Sequence, residues 1–309
     1  MFSRAIRALP LCAPGLLALP TLLALPAGAL AHAVCGARIF PATLGIDDPG
    51  AGDEFSTPTI AYSPSNSGGQ REFDLGAFAW SKTIFSPNID VVISDGATFL
   101  HPGGSGWDPL STEFQWGNFC SDDHEFMATL GFEIDWADTG TGSQVQPFNT
   151  YQPVIDIGKG FGDLPQGLQS LRALGTTFEL SETFPGEKLT DGSPNSTTLN
   201  GGFTIQYSLP YYNSQVAAIG NDFAKHLIPI TEFTFSKPIA NFAPGANQTT
   251  GTIQPGVIYQ AATYQIGAEA IVPLNRASGS GVGAIFSIDF YLDDLLPNSL
   301  GKPLFELQR

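Results

Sequence analysis

Residues 281–297 read GVGAIFSIDFYLDDLLP. Every second position from Val282 is apolar, through Ala284, Phe286, Ile288, Phe290 and Leu292, while Gly283, Ser287 and Asp289 lie between them. A period of two marks a strand with one apolar and one polar face. Whether the apolar face meets a protein core or lipid decides the fold.

The alternation recurs along the chain. Phe126, Ala128, Leu130, Phe132, Ile134 and Trp136 share one face, opposed by Thr129, Gly131, Glu133 and Asp135. Residues 199–209 set Leu199, Gly201, Phe203, Ile205, Tyr207 and Leu209 against Asn200, Gly202, Thr204, Gln206 and Ser208; residues 264–272 set Tyr264, Ile266, Ala268, Ala270 and Val272 against Gln265, Gly267 and Glu269. Such segments run to about ten residues, where strands of soluble proteins average about five or six. With weaker segments between them, the pattern predicts twelve strands, near 55–62, 72–81, 88–96, 110–118, 126–136, 150–160, 171–182, 199–209, 228–238, 251–260, 263–272 and 282–292. Pro58, the short run 89–93 and Pro229 weaken the first, third and ninth.

The connections alternate in length. On one side they span 63–71, 97–109, 137–149, 183–198, 239–250 and 273–281 and are rich in Gly, Ser, Asn, Thr and Pro. On the other they are mostly shorter, 82–87, 119–125, 161–170 and 261–262, with 210–227 as the long exception. Short periplasmic turns, longer external loops and an even strand count characterise outer-membrane barrels. A secreted β-sandwich also alternates, but its outward face meets water and carries many charges. Here only 14% of residues are charged, against about 25% in ordinary domains, and the polar faces hold mostly Gly, Ser, Thr and Gln with scattered carboxylates. Small polar side chains suit a confined wet lumen. Trp136, Tyr207 and Tyr291 are expected in an interfacial aromatic girdle. The fold class is therefore all-β, a transmembrane antiparallel up-and-down barrel of about 12 strands.

Residues 1–33 read as a signal peptide. Arg4 and Arg7 precede an apolar run from Leu9 to Leu30, and Ala31-His32-Ala33 resembles a cleavage site. Removing them leaves eleven Lys+Arg against the 29 Asp+Glu, a net charge of −18, which argues against nucleic acid as a partner. The remaining organisation is a periplasmic leader over 34–54, acidic and expected to be disordered, a barrel over 55–292, and a tail over 293–309. Cys12 leaves with the signal, so Cys35 and Cys120 remain. Both fall on the oxidising periplasmic side, and a Cys35–Cys120 disulfide is expected to fasten the leader to the barrel base.

The closing segment, from TGTIQPGVIYQ through YQIGAEAIVPLNRASGSGVGAIFSIDFYLDDL, resembles proteobacterial outer-membrane barrels of the phenol-degradation meta-pathway, transporter-like type. The likeness is clearest over residues 199–295. It implies a cell outer-membrane protein exported through the periplasm and in contact with the bilayer, lipopolysaccharide and the barrel-assembly machinery. Gly283, Phe286 and Ile288 are similar in spacing to the insertion signal of a last strand. Many such barrels end on an aromatic residue, whereas seventeen residues, 293–309, follow Leu292 here.

The function expected from this architecture is a channel or transporter for small, hydrophobic or aromatic, solutes. Glu133, Asp135, Gln206, Gln265, Glu269 and Asp289 are the candidate lumen-lining residues. A plugged structural or adhesive barrel with binding loops is the alternative. A lipid hydrolase built on His101 or His226 is the weakest reading, because no GxSxG elbow occurs. No catalytic residue and no cofactor is expected. The run FCSDDHE, 119–125, and the acidic residues Asp47, Asp48, Asp53 and Glu54 hold metal-ligand atoms, but neighbouring residues on a turn rarely converge on one ion, so no metal is expected.

Overall fold

The computed structural model describes residues 33–305. Apart from Ala33, the expected signal peptide lies outside the described residues, as does the end of the tail from 306 onward. Twelve antiparallel strands form a closed barrel in sequence order: β1 (Glu54–Ser63), β2 (Arg71–Ser86), β3 (Ile89–His101), β4 (Ser111–Ser121), β5 (Phe126–Asp135), β6 (Thr150–Gly160), β7 (Leu174–Pro185), β8 (Thr197–Tyr207), β9 (Leu227–Ala240), β10 (Thr250–Gln260), β11 (Tyr264–Pro273) and β12 (Gly283–Tyr291). The opening stretch closes the ring, β12 pairing with β1 through Phe286 opposite Ile60 and Phe290 opposite Phe55. Closure pairs the edge strands, which a strand-built wall in hydrocarbon requires. No helix among the described residues is long and apolar enough to cross a membrane; strands do the crossing.

The outward face carries the alternating apolar set. Leu130, Phe132, Phe203 and Ile205 are all exposed, Ile205 at 52%, and Phe203 stacks on Phe233 of the next strand at 4.6 Å between ring centroids. Polar residues of the same strands are buried inside, Thr129 and Gln206 among them. The apolar face therefore meets lipid, and the protein is an outer-membrane barrel by architecture.

Departures from the sequence expectations have local causes. β1 passes Pro58 by an irregularity opposite Ser287–Asp289, which removes the need for a proline N–H in the ladder. β2 and β3 run longer than their periodicity indicates and leave only Pro87 and Asn88 between them. β8 stops at Tyr207 because Ser208 caps a helix, α1 (Leu209–Gln215), its side chain accepting the Tyr211 N–H at 3.2 Å with Pro210 in the first turn. Tyr291 is not part of an outer girdle. It shares parity with Ser287 and Asp289, is 1% exposed, and its hydroxyl donates to Gln265 Oε1 inside the barrel at 2.7 Å. Trp136 is exposed as expected.

The leader does not hang free. A short hairpin, Ala33–Cys35 with Arg38–Phe40, packs at the base with Met127, and residues 41–53 then run through the barrel interior to β1. Beyond β12, α2 (Leu292–Leu295) turns the tail back along β2, where Leu304 and Phe305 N–H groups donate to the carbonyls of Thr83 and Ile84 and Phe305 stacks on Phe85.

Candidate functional site: the barrel lumen and its internal strap

The strap, residues 41–53, is held by carboxylates on the barrel wall. Glu232 of β9 accepts three successive backbone N–H groups, Leu44 at 2.8 Å, Gly45 at 2.9 Å and Ile46 at 3.1 Å. Glu179 of β7 accepts the Asp47 N–H at 2.8 Å, and Asp90 of β3 accepts the Gly52 N–H at 2.9 Å. Gln265 donates to the Ala42 carbonyl and Thr129 to that of Pro49. An extended segment in a lumen has no ladder of its own, so each buried N–H needs a wall acceptor, and a charged acceptor makes the stronger bond.

Apolar contacts and missing side chains seat the same segment. Leu44 packs on the inward isoleucines Ile228, Ile230 and Ile258 at the base. A Cβ on Gly267 would lie 2.5 Å from Leu44 Cδ1, and one on Gly202 would lie 2.6 Å from Ile46 Cγ2. These two glycines leave the wall open where the strap comes closest.

The periplasmic end is closed by a buried ion pair. Arg38 Nε lies 3.3 Å from Glu125 Oε2, with the side chains 0% and 5% exposed. The guanidinium also donates to the Ala173 and Leu174 carbonyls at 3.1 and 2.9 Å, and its carbon sits 4.0 Å from the Tyr211 ring centroid. Burial lowers the Arg38 pKa, opposed by Glu125, and burial together with hydrogen bonding to Glu125 pushes Tyr211 up to about 12. Beside this pair the Cys35–Cys120 disulfide joins leader and β4 with a Cα–Cα distance of 5.8 Å.

Above the strap remains a cavity of ≈430 Å³. Its lining includes seven carboxylates, Asp47, Asp48, Glu54, Glu113, Glu133, Glu179 and Asp289, and no Lys, Arg or His. A second cavity higher on the wall is lined by Asp74, Asp95 and Asp108, and a third, at the external mouth, includes Glu72. Carboxylates thus follow the lumen from mouth to strap.

The six residues singled out from sequence do not form one cluster. Glu133 and Asp135 are half-buried on β5, Glu133 accepting from Gln152 at 3.1 Å. Gln265 donates to Asp289 at 3.0 Å on the opposite wall, Glu269 is buried beside Glu232, and Gln206 is fully buried on β8. Sequence reading passed over Glu113, Asp156, Glu179 and Glu232. Their parity was available: Gln152, Val154 and Asp156 alternate with Ile155 and Ile157, and Ile228, Ile230 and Glu232 alternate with Phe233 and Phe235 in register.

The run 119–125 is drawn apart. Glu125 faces Arg38, the Asp122 carboxylate accepts the Gly36 N–H at 3.1 Å, and His124 lies 3.3 Å from Asp163. Cys35, Cys120 and Asp122 do converge, but the two sulfurs are bonded to each other. Of the acidic residues of the leader, Asp47, Asp48 and Glu54 line one cavity, whereas Asp53 pairs with Lys82. His101 ends β3 at the external rim, whereas His226 precedes β9 at the base, its Nδ1 2.8 Å from the Gln260 carbonyl.

No family model matches the chain, and no curated protein does. Among solved structures, the COG4313 outer membrane channel from Pseudomonas putida F1 superposes with a TM-score of 0.54 at 8% identity, over 82% of this chain and 99% of that one. LpxR from Salmonella typhimurium gives 0.41 at 9% identity over 77% and 99%, and OccAB3 from Acinetobacter baumannii 0.37 at 10% over 72% and 59%. The first likeness establishes a shared barrel fold: the chain is built as an outer-membrane β-barrel.

Proposed function

We propose that the protein is an outer-membrane channel or transporter for small solutes, of the phenol-degradation, transporter-like kind that residues 199–295 resemble. The observation that carries the reading is the polar interior of the closed barrel, where three separate cavities between the external mouth and the strap each include carboxylates. A twelve-stranded barrel is narrower than the 16 to 18 strands that hold a wide aqueous channel, and the strap narrows it further, so passage is restricted to small molecules. The hydrophobic or aromatic character of the solute rests on the sequence resemblance. The similarity to the Pseudomonas putida F1 channel supports the reading at the level of fold.

The strap also favours the second reading, a plugged structural barrel. Conductance and liposome-swelling measurements on refolded full-length protein separate the two. Steps in bilayer current and swelling in small neutral solutes are expected; an impermeable barrel under every condition, including after strap release, would leave the plugged reading.

A further inference from the structure

The tail after β12 takes no part in the ring or the lumen, yet it follows a defined path. It turns at Gly301, where a Cβ would lie 2.1 Å from the Asp293 Cα and 2.5 Å from the Leu292 carbonyl oxygen. β1 begins at Glu54, opposite Ser81, so residues 82–86 of β2 extend beyond it at the base. Leu304 and Phe305 dock on this extension, their N–H groups donating to the Thr83 and Ile84 carbonyls at 3.0 and 2.8 Å.

Lys82 shows which side of the wall the tail covers. It is opposite Val91, Val91 is opposite Phe114, and Phe114 is opposite Phe132. Phe114 and Phe132 are outward and exposed, so Lys82 stands on a lipid-facing row. An ammonium at a lipid boundary needs partners. Asp53 accepts from it, as do the carbonyls of Leu300, at 2.9 Å, and Lys302, which leaves its side chain 13% exposed. The tail thus covers a charge on the outward surface and presents apolar side chains in its place. Leu304 is 60% exposed, Phe305 56% and Phe85 49%, and Phe305 stacks on Phe85 at 5.7 Å between ring centroids.

The covered place is also a gap in the ring of aromatic residues around the base. Trp80, Phe55, Phe290 and Tyr264 are successive cross-strand partners on β2, β1, β12 and β11. Beyond the gap β4 carries the exposed Trp116 and Phe119. Between them β3 offers only Ile89, Val91 and Ile93 on the same face. Phe305, set on Phe85, supplies the missing aromatic surface.

We infer that the tail is an interfacial anchor, which lays Leu304 and Phe305, together with Phe85, into the periplasmic leaflet of the outer membrane. The occupant of the patch is phospholipid, met at the boundary between headgroups and acyl chains, where aromatic side chains settle and where an exposed cation such as Lys302 reaches lipid phosphate. Continuity with the lipid-facing row of Lys82 and Phe114 selects lipid over water. A second copy of the chain suits the patch less, because these few side chains fall far short of the roughly 20–30 residues a side of a stable interface. The inference goes beyond the channel reading and stands whether or not the lumen conducts.

The test places a nitrobenzoxadiazole label on Leu304→Cys and, as reference, on Asn298→Cys of the same tail, in mature protein reconstituted into phosphatidylethanolamine and phosphatidylglycerol vesicles. Cys35 and Cys120 are bonded to each other and do not take the label. Phospholipid carrying a nitroxide at acyl carbon 5 should quench the label at 304 at least about threefold more than at 298, and aqueous iodide should quench in the reverse order. Heat-modifiable migration identifies variants that still fold, and Phe305→Cys replaces Leu304→Cys if the latter does not. Nitroxide quenching at 304 no greater than at 298 would overturn the anchor, leaving the patch in water. Shielding at 304 that follows the protein-to-lipid ratio and not the nitroxide would overturn it in favour of a second copy.

Discussion

The carboxylate of Glu232 holds the backbone N–H of Gly45, 187 residues earlier in the chain, at 2.9 Å, and takes the N–H groups on either side of it as well. One side chain thereby satisfies three consecutive donors of a segment that has no strand partner. Replacing it by alanine leaves those donors buried and unmatched, at a cost of about 2–4 kcal/mol to strap docking. Glu232→Ala is expected to raise single-channel conductance and to expose residues 41–53 to proteolysis while the barrel stays heat-modifiable. Unchanged conductance and protection would mean that Leu44 and the remaining contacts hold the strap without Glu232.

Arg38 and Glu125 close the base as a buried pair. Removing one member of such a pair strands the other, which typically costs about 3–5 kcal/mol, whereas exchanging both for apolar residues of similar size is close to neutral. Arg38→Ala should therefore lower the unfolding temperature of the refolded barrel more than the double variant Arg38→Met, Glu125→Leu does. Equal losses in both would show that the hydrogen bonds from Arg38 to the Ala173 and Leu174 carbonyls, lost in each, outweigh the ion pair.

The barrel was legible because lipid and lumen impose opposite chemistry on alternate residues, and 283–291 carries that contrast over its whole length. The expected strands fall close to the observed ones, and the Cys35–Cys120 pairing followed from placing both residues on one side of the membrane. The strap was not legible. PATLGIDDPGAGD is acidic, rich in glycine and proline and without period, which is also the composition of a disordered leader. Its order comes from partners such as Glu232 and Gly267, brought to it only when the ring closes. Gly267 and Gly202 read as small residues tolerated by a wet lumen, yet they are the positions where Leu44 and Ile46 touch the wall. Tyr291 misled for a simpler reason, an aromatic at a strand end being expected at the interface although its parity turns it inward.

The disulfide closes a loop of 85 residues spanning the first four strands. In a chain-entropy view a link of that span contributes about 4–5 kcal/mol, by restricting the unfolded chain. Reduction of folded protein is expected to shift the gel-migration transition to lower temperature and to expose residues 33–40 to proteolysis. Thiol titration of the unreduced protein should find neither Cys35 nor Cys120 free. Two titratable thiols in the mature chain would remove the link.

Asp293 makes the docking of the tail depend on pH. It sits in α2 below the barrel, where burial, with Asp294 and Asp53 nearby, pushes its carboxyl up to about 7. Lys82, the neighbouring cation, is engaged by Asp53 and by the Leu300 carbonyl at 2.9 Å. A carboxyl whose pKa is higher when docked than when free favours docking while it is protonated, and that contribution is full below the ordinary aspartate value near 3.8 and fades as pH rises through about 7. The tail should therefore be cleaved more slowly by an added protease at pH 5.5 than at pH 8.5, once the rates are corrected for the protease's own pH dependence on an unfolded substrate. Asp293→Asn, which cannot ionise, should keep the low-pH protection at both values. A pH dependence that survives Asp293→Asn would assign the effect to Asp294, whose carboxyl pKa burial also raises.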